Sequence, residues 1–268
     1  MTMDSLHATP IYECLDIAVD HRLRKLFLPV SKEEASIFTG DHLRRISQIG
    51  LSLQHRDEPV PRHEIKVTQQ LALPGSVGGI LIMLLQPANT QPFDLGVDIT
   101  IQECRTFAAL HEGFRAVTCN SLGIPDITVI DSLPFIRPKD KVSPQLRRQL
   151  RMQVFEIVKA KRPDVILCMW QDKNGVTEDM ELIRSVGIGR RFSEPRVQLE
   201  HDFTANRVNA FHPSYTIYHK PNFSCFRQLL LLEIAQTCHT YMGNWVEREW
   251  MAELREKCRV KASGLSSK

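Results

Sequence analysis

A histidine that stands before a proline is the residue of this sequence best placed to do chemistry. His212 follows a short apolar run and precedes Pro213 and Ser214, ahead of a long predicted helix. Because proline restricts the backbone of the residue before it, His212 should be extended, with its ring direction fixed by the turn. An imidazole held in this way can donate a hydrogen bond to charge that develops on a leaving group. The alternative is that His212 only ends a strand.

Four short apolar runs predict strands that are buried on both faces of a sheet. They cover residues 79–85, 127–130, 165–169 and 208–211. Helices are predicted between and after them. The alternation of strands and helices predicts a three-layer α/β/α domain with a mostly parallel, four-stranded central sheet.

The helical segments are predicted from periodicity and from capping residues. Ser143 and Pro144 fit the N-cap and first-turn positions of a helix that runs to Lys161. The other predicted helices cover about residues 98–112 and 178–185 and begin again at Asn222. A further edge strand is predicted near residues 196–200.

The chain is predicted to have three parts. Residues 1–74 form an N-terminal helical extension on the core, residues 75–260 form the α/β domain, and residues 261–268 form a disordered polar tail. Within the extension, residues 12–55 are predicted to be helical and residues 64–67 to form an edge strand.

Composition predicts a soluble intracellular protein, which we expect to be monomeric. The 34 Lys and Arg exceed the 31 Asp and Glu only slightly, a weak indication of an anionic partner. The 7 cysteines show no close pairing and predict reduced, mostly buried thiols. The sequence shows neither a secretion signal nor an apolar run long enough to span a membrane, so no membrane partner is predicted.

Polar or aromatic residues follow each predicted strand, where parallel strands of an open sheet bind ligands. Gln86 and Phe93 follow the first strand, Asp131 the second, Trp170 the third and His212 the fourth. Together they predict a pocket for a flat, hydrogen-bonding ligand. Taken singly, each has a structural alternative: Gln86 as a turn residue, Phe93 as core, Asp131 as a cap and Trp170 as a lid.

The order of these segments resembles the uracil-DNA glycosylase superfamily over roughly residues 78–240. The matching segments are Gln86-Pro87 with Phe93, Asp131 with Arg137-Pro138, the strand that ends at Trp170, and His212-Pro213-Ser214 with the aromatic-rich helix after it. The last of these is the most specific match, and the first loop is the least specific.

The resemblance implies a DNA glycosylase of base excision repair, which hydrolyses the N-glycosidic bond of a base flipped out of DNA. It implies that Gln86 holds the attacking water, Asp131 reads the base edge and His212 stabilises the departing base. Phe93 and Trp170 would contact the base. Such an enzyme would work in the nucleus or the mitochondrion. If the protein has another role, we expect it in the cytoplasm. Residues from Tyr215 to Lys220 would form the loop that enters the groove left by the flipped nucleotide, with His219 and Lys220 near phosphates. Ser132 and Ser214 would hold the DNA backbone, and the loop pair Arg190 and Arg191 is a further candidate for binding phosphate.

Two residues depart from the family pattern. Gln86 stands where several branches have Asp or Asn, and its neutral amide cannot accept a proton from water. Asp131 stands where the family usually has Asn, and an ionised carboxylate can only accept hydrogen bonds. It would suit an exocyclic amine better than O4 of uracil. Either the ligand is not uracil, or Asp131 is protonated, or the pocket does no chemistry.

No cofactor and no metal are predicted. The cysteines are not grouped as iron–sulfur ligands, and His201, Asp202 and His212 match no zinc spacing. Three hypotheses remain open from the sequence. The protein is a DNA glycosylase of altered specificity, a silent relative that binds nucleic acid or another partner, or an α/β enzyme that acts on a free nucleoside or another small molecule.

Overall fold

A five-stranded sheet forms the centre of the molecule. The computed structural model describes residues 19–31, 38–53, 59–216 and 224–266. The strands are β1 (Ile80–Leu84), β2 (Thr128–Asp131), β3 (Val165–Cys168), β4 (Arg196–Glu200) and β5 (Phe203–Asn209).

The sheet is mostly parallel, with the order β2-β1-β3-β5-β4. β1 pairs in parallel with β2 and β3, β3 pairs in parallel with β5, and β4 lies antiparallel to β5 at the edge. The predicted parallel strands are therefore confirmed, except that β5 begins at Phe203 and ends at Asn209 instead of covering residues 208–211. The edge strand near residues 196–200 is confirmed as well. The sheet has five strands because this edge strand joins the four that the apolar runs predicted.

Helices precede, connect and follow the strands. Before the sheet come α1 (His21–Arg24), α2 (His42–Ser52) and α3 (Arg62–Leu71). Between the strands lie α4 (Val97–Glu103), α5 (Arg105–Val117), α6 (Pro144–Lys161) and α7 (Glu178–Glu181), and after them α8 (Ser224–Tyr241) and α9 (Glu249–Ser266). The Ser143 side chain accepts a hydrogen bond from the N–H of Leu146, which confirms the predicted start of α6.

Each face of the sheet is covered by a hydrophobic core. Side chains alternate along β1, so Ile82 joins one core with α5 and α8, while Leu81 joins the other with α2 and α6. N-terminal residues enter both cores, as Leu23 and Ile46 do. Helical segments thus lie on both faces, in agreement with the predicted α/β/α class.

Several predicted boundaries are wrong. Residues 64–67 belong to helix α3, because Pro61 precedes its first turn and Glu64, Ile65 and Leu71 are buried at helical spacing. The helix predicted for residues 98–112 is two helices, since the backbone at Cys104 is extended. The helix predicted for residues 178–185 ends at Glu181.

The predicted disordered tail is also wrong for residues 261–266, because α9 continues through Ser266. Met251, Arg255 and Cys258 lie buried at spacings of four and three residues, so this helix packs one face against the protein. A polar composition on the exposed face of such a helix resembles that of a disordered tail.

Six cysteines in the described residues are free, and four of them, Cys168, Cys225, Cys238 and Cys258, are buried. This agrees with the prediction of reduced thiols. None of the described helices combines the length and the apolar character needed to cross a membrane.

Candidate functional site

A cleft of about 290 Å³ opens at the carboxyl edge of the parallel strands. It lies where β1, β3 and β5 end, next to the loop that follows α7. The lining residues are Leu85, Met169, Trp170, Gln171, Ser185, Ile188, Phe211, His212, Ser214 and Tyr215. The expectation that segments after different strands meet at one edge is therefore confirmed for β1, β3 and β5.

The His212 ring is held on one side by the turn that follows it. Its Nδ1 lies 2.7 Å from the hydroxyl oxygen of Ser214 and accepts a hydrogen bond from the backbone N–H of Ser214 at 3.3 Å. A backbone N–H can only donate, so Nδ1 is the acceptor and the neutral ring carries its proton on Nε2. Burial lowers the pKa of His212 to about 4. At neutral pH the residue is a neutral imidazole with a donor at Nε2.

Three aromatic rings pack behind and beside this turn. Phe211 and Tyr215 meet edge to face with ring centroids 6.1 Å apart, and both contact Phe226 of α8 in the same manner. Phe226 is fully buried, and the cleft is lined by Phe211, which is 4% exposed, and by the half-buried Tyr215. Together with Trp170, these two residues form the aromatic part of the cleft lining.

Asn209, the last residue of β5, fixes the loop that forms one wall of the cleft. Its side-chain oxygen accepts from the N–H of Val186 at 2.6 Å, and its amide donates to the carbonyls of Gly187 and Arg190, each at 2.9 Å. Ser185 donates to the carbonyl of Ala210 at 2.5 Å. Sequence reasoning gave Asn209 and Ser185 no role, although a polar residue inside an apolar strand is a signal that could have indicated one.

Asp131 ends β2 on the sheet face that carries Val129 and the α5 core. Its carboxyl group forms no hydrogen bond or ion pair with the rest of the described chain, and burial raises its pKa to about 7. Asp131 is not among the residues that line the cleft. The carboxyl group therefore lies at the same edge of the sheet as His212. β2, which carries Asp131, is separated from β5 by β1 and β3.

Ser132, which was predicted to contact phosphate, lies between the ends of two strands. The residue is fully buried, its N–H donates to the carbonyl of Leu84 at 2.8 Å, and its hydroxyl donates to the carbonyl of Leu85 at 3.0 Å. The hydroxyl extends the pairing of β2 with β1 beyond the last strand residues. Its role in the structure is to hold these two strand ends together.

The first loop also differs from expectation. Phe93 is 3% exposed and belongs to the same core as Val67 and Leu71. Gln86 is half-buried, and neither residue lines the cleft that contains His212. The prediction that Phe93 and His212 share a cleft is wrong, because the short helical turn at residues 93–95 packs the ring inward.

Trp170 borders the cleft, but its ring is buried in the opposite core. The indole N–H donates to the carbonyl of Ile183 at 3.1 Å, and the Arg151 guanidinium lies 5.2 Å from the ring centroid. Because Trp170 still lines the cleft, its predicted contact with a base stays a prediction. Gln171, the next residue, is the neutral polar side chain that β3 contributes to the cleft.

The predicted DNA-binding residues are in different situations. Arg190 is exposed and lines a second, open groove beside the cleft. Arg191 lies 3.5 Å from a Glu247 oxygen and is not part of either lining. Ser214 and Tyr215 line the cleft, and His219 and Lys220 lie outside the described residues.

In the described ranges no group of three His, Cys, Asp or Glu side chains is placed to hold a metal ion. The expectation of a metal-free site stays a prediction. No protein-family model matches this chain, and the search of curated proteins finds no match either.

Proposed function

We propose that this protein hydrolyses the N-glycosidic bond of a base flipped out of DNA. The observation that carries the proposal is the state of His212, a neutral imidazole whose Nδ1 is occupied and whose Nε2–H remains available at the cleft. When the glycosidic bond breaks, its electron pair moves to the base nitrogen and the base leaves as an anion. The fixed Nε2–H of a neutral imidazole stabilises this negative charge by donating a hydrogen bond to it.

The size of the cleft supports a ligand of this kind. A volume of about 290 Å³ is close to the lower end of small-molecule sites and suits one flat heterocycle. Leu85 and Ile188 supply apolar contacts, and Phe211 and Tyr215 supply aromatic ones. The Gln171 amide donates to the carbonyl of Ser185 at 3.4 Å, which leaves its oxygen as an acceptor for a base N–H.

Water completes the reaction by attacking C1′ as the base departs. The neutral amide of Gln86 cannot take a proton from this water, and Gln86 does not line the cleft. The proton therefore passes to solvent or to the departing base. A transition state in which the bond is largely broken before attack is compatible with this arrangement, at the cost of a slower reaction.

Protonation of Asp131 would remove one of the conflicts with uracil. With a pKa raised to about 7, a large fraction of the carboxyl groups carry a proton at neutral pH. A protonated carboxyl has one donor and one acceptor, as an asparagine amide does. Approach of a base to Asp131 requires a ligand that extends past Leu85, since Asp131 lies outside the cleft lining.

The second candidate is a protein that binds nucleic acid without cleaving it. The buried ring of Phe93 favours it, because the residue predicted to stack on the base does not line the cleft. Gln86 favours it as well, since no general base stands in its place. An enzyme that acts on a free nucleoside would need only the cleft itself.

The test is base release from oligonucleotides that each carry one modified base, uracil included, followed by alkaline cleavage. We expect the wild type to release a base and His212→Ala to be slower by roughly 100-fold or more, as when an oxyanion-hole donor is removed. The control is His201→Ala, at an exposed histidine between β4 and β5.

Three results would contradict the proposal. Binding of DNA by a folded wild type that releases no base would favour the silent protein. Release from free nucleosides alone would favour the small-molecule enzyme. Equal rates for wild type and His212→Ala would remove His212 from the reaction.

A further inference from the structure

An open groove of about 920 Å³ continues from the cleft. The two share Gln171, Ser185, Ile188 and Tyr215, so a ligand in the cleft has direct access to the groove. Its walls are the loop after β3, the loop at residues 184–190 and one face of α9. Helix α9 forms the last of these walls, and its residues 261–266 were predicted from the sequence to be disordered.

The groove is strongly cationic. Lys173, Arg184, Arg190 and Arg259 line it, and Asp172 is its one carboxylate within the described residues. Asp172 is already neutralised, because the buried Arg151 donates to it at 2.6 Å. The excess positive charge in the lining therefore faces the open space.

Two of these four cations are not engaged elsewhere. Lys173 and Arg190 are exposed and form no ion pair with the described part of the protein. Arg184 lies 3.2 Å from a Glu181 oxygen, and Arg259 lies 2.6 Å from a Glu256 oxygen. Neither glutamate belongs to the lining. Arg259 donates to both carboxylate oxygens of Glu256, at 2.8 and 2.6 Å, and Arg184 also donates to the carbonyl of Asp172 at 3.1 Å. Lys173 and Arg190 can thus bind an anionic ligand directly, and Arg184 and Arg259 add positive charge to the lining that an anion would share with Glu181 and Glu256.

Gly189 brings the loop directly against α9. Its φ is +68°, and a Cβ atom at this position would collide with the carbonyl oxygen of Arg255. Arg259 lies one turn after Arg255 on α9, and Ser263 one turn further. The close approach therefore places Arg259 and Ser263 beside Arg190 in one surface.

We propose that this groove binds the sugar-phosphate backbone of a single nucleic-acid strand, with one of its bases in the adjoining cleft. The proposal rests on the proposed function for the identity of the base, and it adds the path of the strand along α9. A single phosphate needs one or two cations. Four cations around an extended, open groove suit consecutive phosphates, as in other grooves that follow a single strand.

The test measures binding of a short fluorescein-labelled oligodeoxynucleotide by anisotropy over a range of KCl concentrations. The test variant is the double substitution Lys173→Gln and Arg259→Gln. The control is Lys66→Gln with Lys257→Gln, which removes the same charge from exposed positions on α3 and on another face of α9.

Each lost phosphate contact lowers the salt slope by about 0.7, so the test variant should bind roughly 25-fold more weakly in 0.1 M salt than the wild type. The control should bind as the wild type does. Equal losses in both double variants, or no loss in the test variant, would overturn the proposal. So would displacement of the oligonucleotide by a mononucleotide of equal affinity, because the groove would then serve a small ligand.

The outcome separates this proposal from the proposed function. If the wild type releases no base but the test variant loses strand binding, the glycosylase proposal fails and the groove proposal stands. If the wild type releases a base and the test variant keeps both its strand affinity and its kcat/KM, the groove proposal alone fails.

Discussion

The hydroxyl oxygen of Ser214 lies 2.7 Å from Nδ1 of His212. The residue two positions after the histidine thus determines which ring nitrogen carries the proton. Together with the backbone N–H of the same serine, it leaves Nε2 as the donor. The sequence His-Pro-Ser contains all the parts of this arrangement, since Pro213 sets the turn that brings Ser214 back to the ring.

Removal of the Ser214 hydroxyl should reduce base release modestly. In Ser214→Ala the backbone N–H still contacts Nδ1, so we expect a rate about fivefold lower, the worth of one hydrogen bond of about 1 kcal/mol. Single-turnover rates measure this, with Ser193→Ala at an exposed position as the control. A loss as large as that of His212→Ala would mean that Ser214 acts on the substrate directly.

Activity on uracil-containing DNA should depend on the protonation of Asp131. Its pKa of about 7 predicts a wild-type rate that falls as the pH rises above neutrality, because the ionised carboxylate has no donor. Asp131→Asn should remove this fall and exceed the wild type by about tenfold at one pH unit above the pKa. Parallel pH profiles for the two proteins would show that Asp131 does not contact the base.

The same variant gives a readout that does not depend on activity. The folded-state pKa of Asp131 is raised, so its favourable contribution to stability is present below the usual carboxyl pKa and is lost as the pH rises towards about 7. Asp131→Asn should therefore gain stability relative to the wild type over this range. The gain in the free energy of unfolding has an upper limit of about 1.4 kcal/mol per pH unit. The expected gain is smaller because the side chain is partly exposed to solvent. Urea unfolding at several pH values measures it.

Asn209 should be important for the order of the cleft wall. Asn209→Ala removes three hydrogen bonds to the loop at residues 186–190, and we expect a loss of about 2 to 3 kcal/mol in the free energy of unfolding. Hydrogen exchange should become faster at Val186. Asn206→Ala is the matched control, since that side chain on the same strand donates one bond, to the carbonyl of Asp164 at 3.3 Å. Equal losses of stability in both variants would show that the three hydrogen bonds of Asn209 to the loop have no special importance.

The ion pair between Arg137 and Glu64 should stabilise the fold strongly. Glu64 is fully buried, and Arg137 donates to its carboxylate at 3.1 Å. Arg137→Ala leaves a buried carboxylate without this cation and should cost about 3 to 5 kcal/mol in the free energy of unfolding. Adding Glu64→Gln should recover part of the loss, whereas Arg62→Ala on the exposed side of α3 should be near neutral. No recovery in the double variant would mean that packing of the Arg137 stem dominates.

The Arg-Pro segment after β2 shows why the role of a residue is harder to predict than its place. In the segment that resembles the glycosylase superfamily, Arg137 follows the predicted base-reading residue Asp131, which places it near the predicted ligand site. In the structure its guanidinium turns to Glu64 of a helix that lies more than seventy positions earlier, where sequence reasoning expected a strand. The partner could not be predicted because the pairing depends on how α3 packs against the end of the sheet.

The sequence by itself determined the parallel strands, their common carboxyl edge and the place of His212 on it. Strands buried on both faces need continuous apolar runs, and a proline restricts the residue before it whatever the surroundings. Tertiary structure alone decided which side chains reach the cleft. Phe93 turns into one core and away from the cleft, while Trp170, Phe211, Tyr215 and Gln171 line the cavity and α9 brings Arg259 to the adjoining groove. The physical reason is that an aromatic ring after a strand can be buried equally well on either side of its loop, and only the packing of distant helices selects between them.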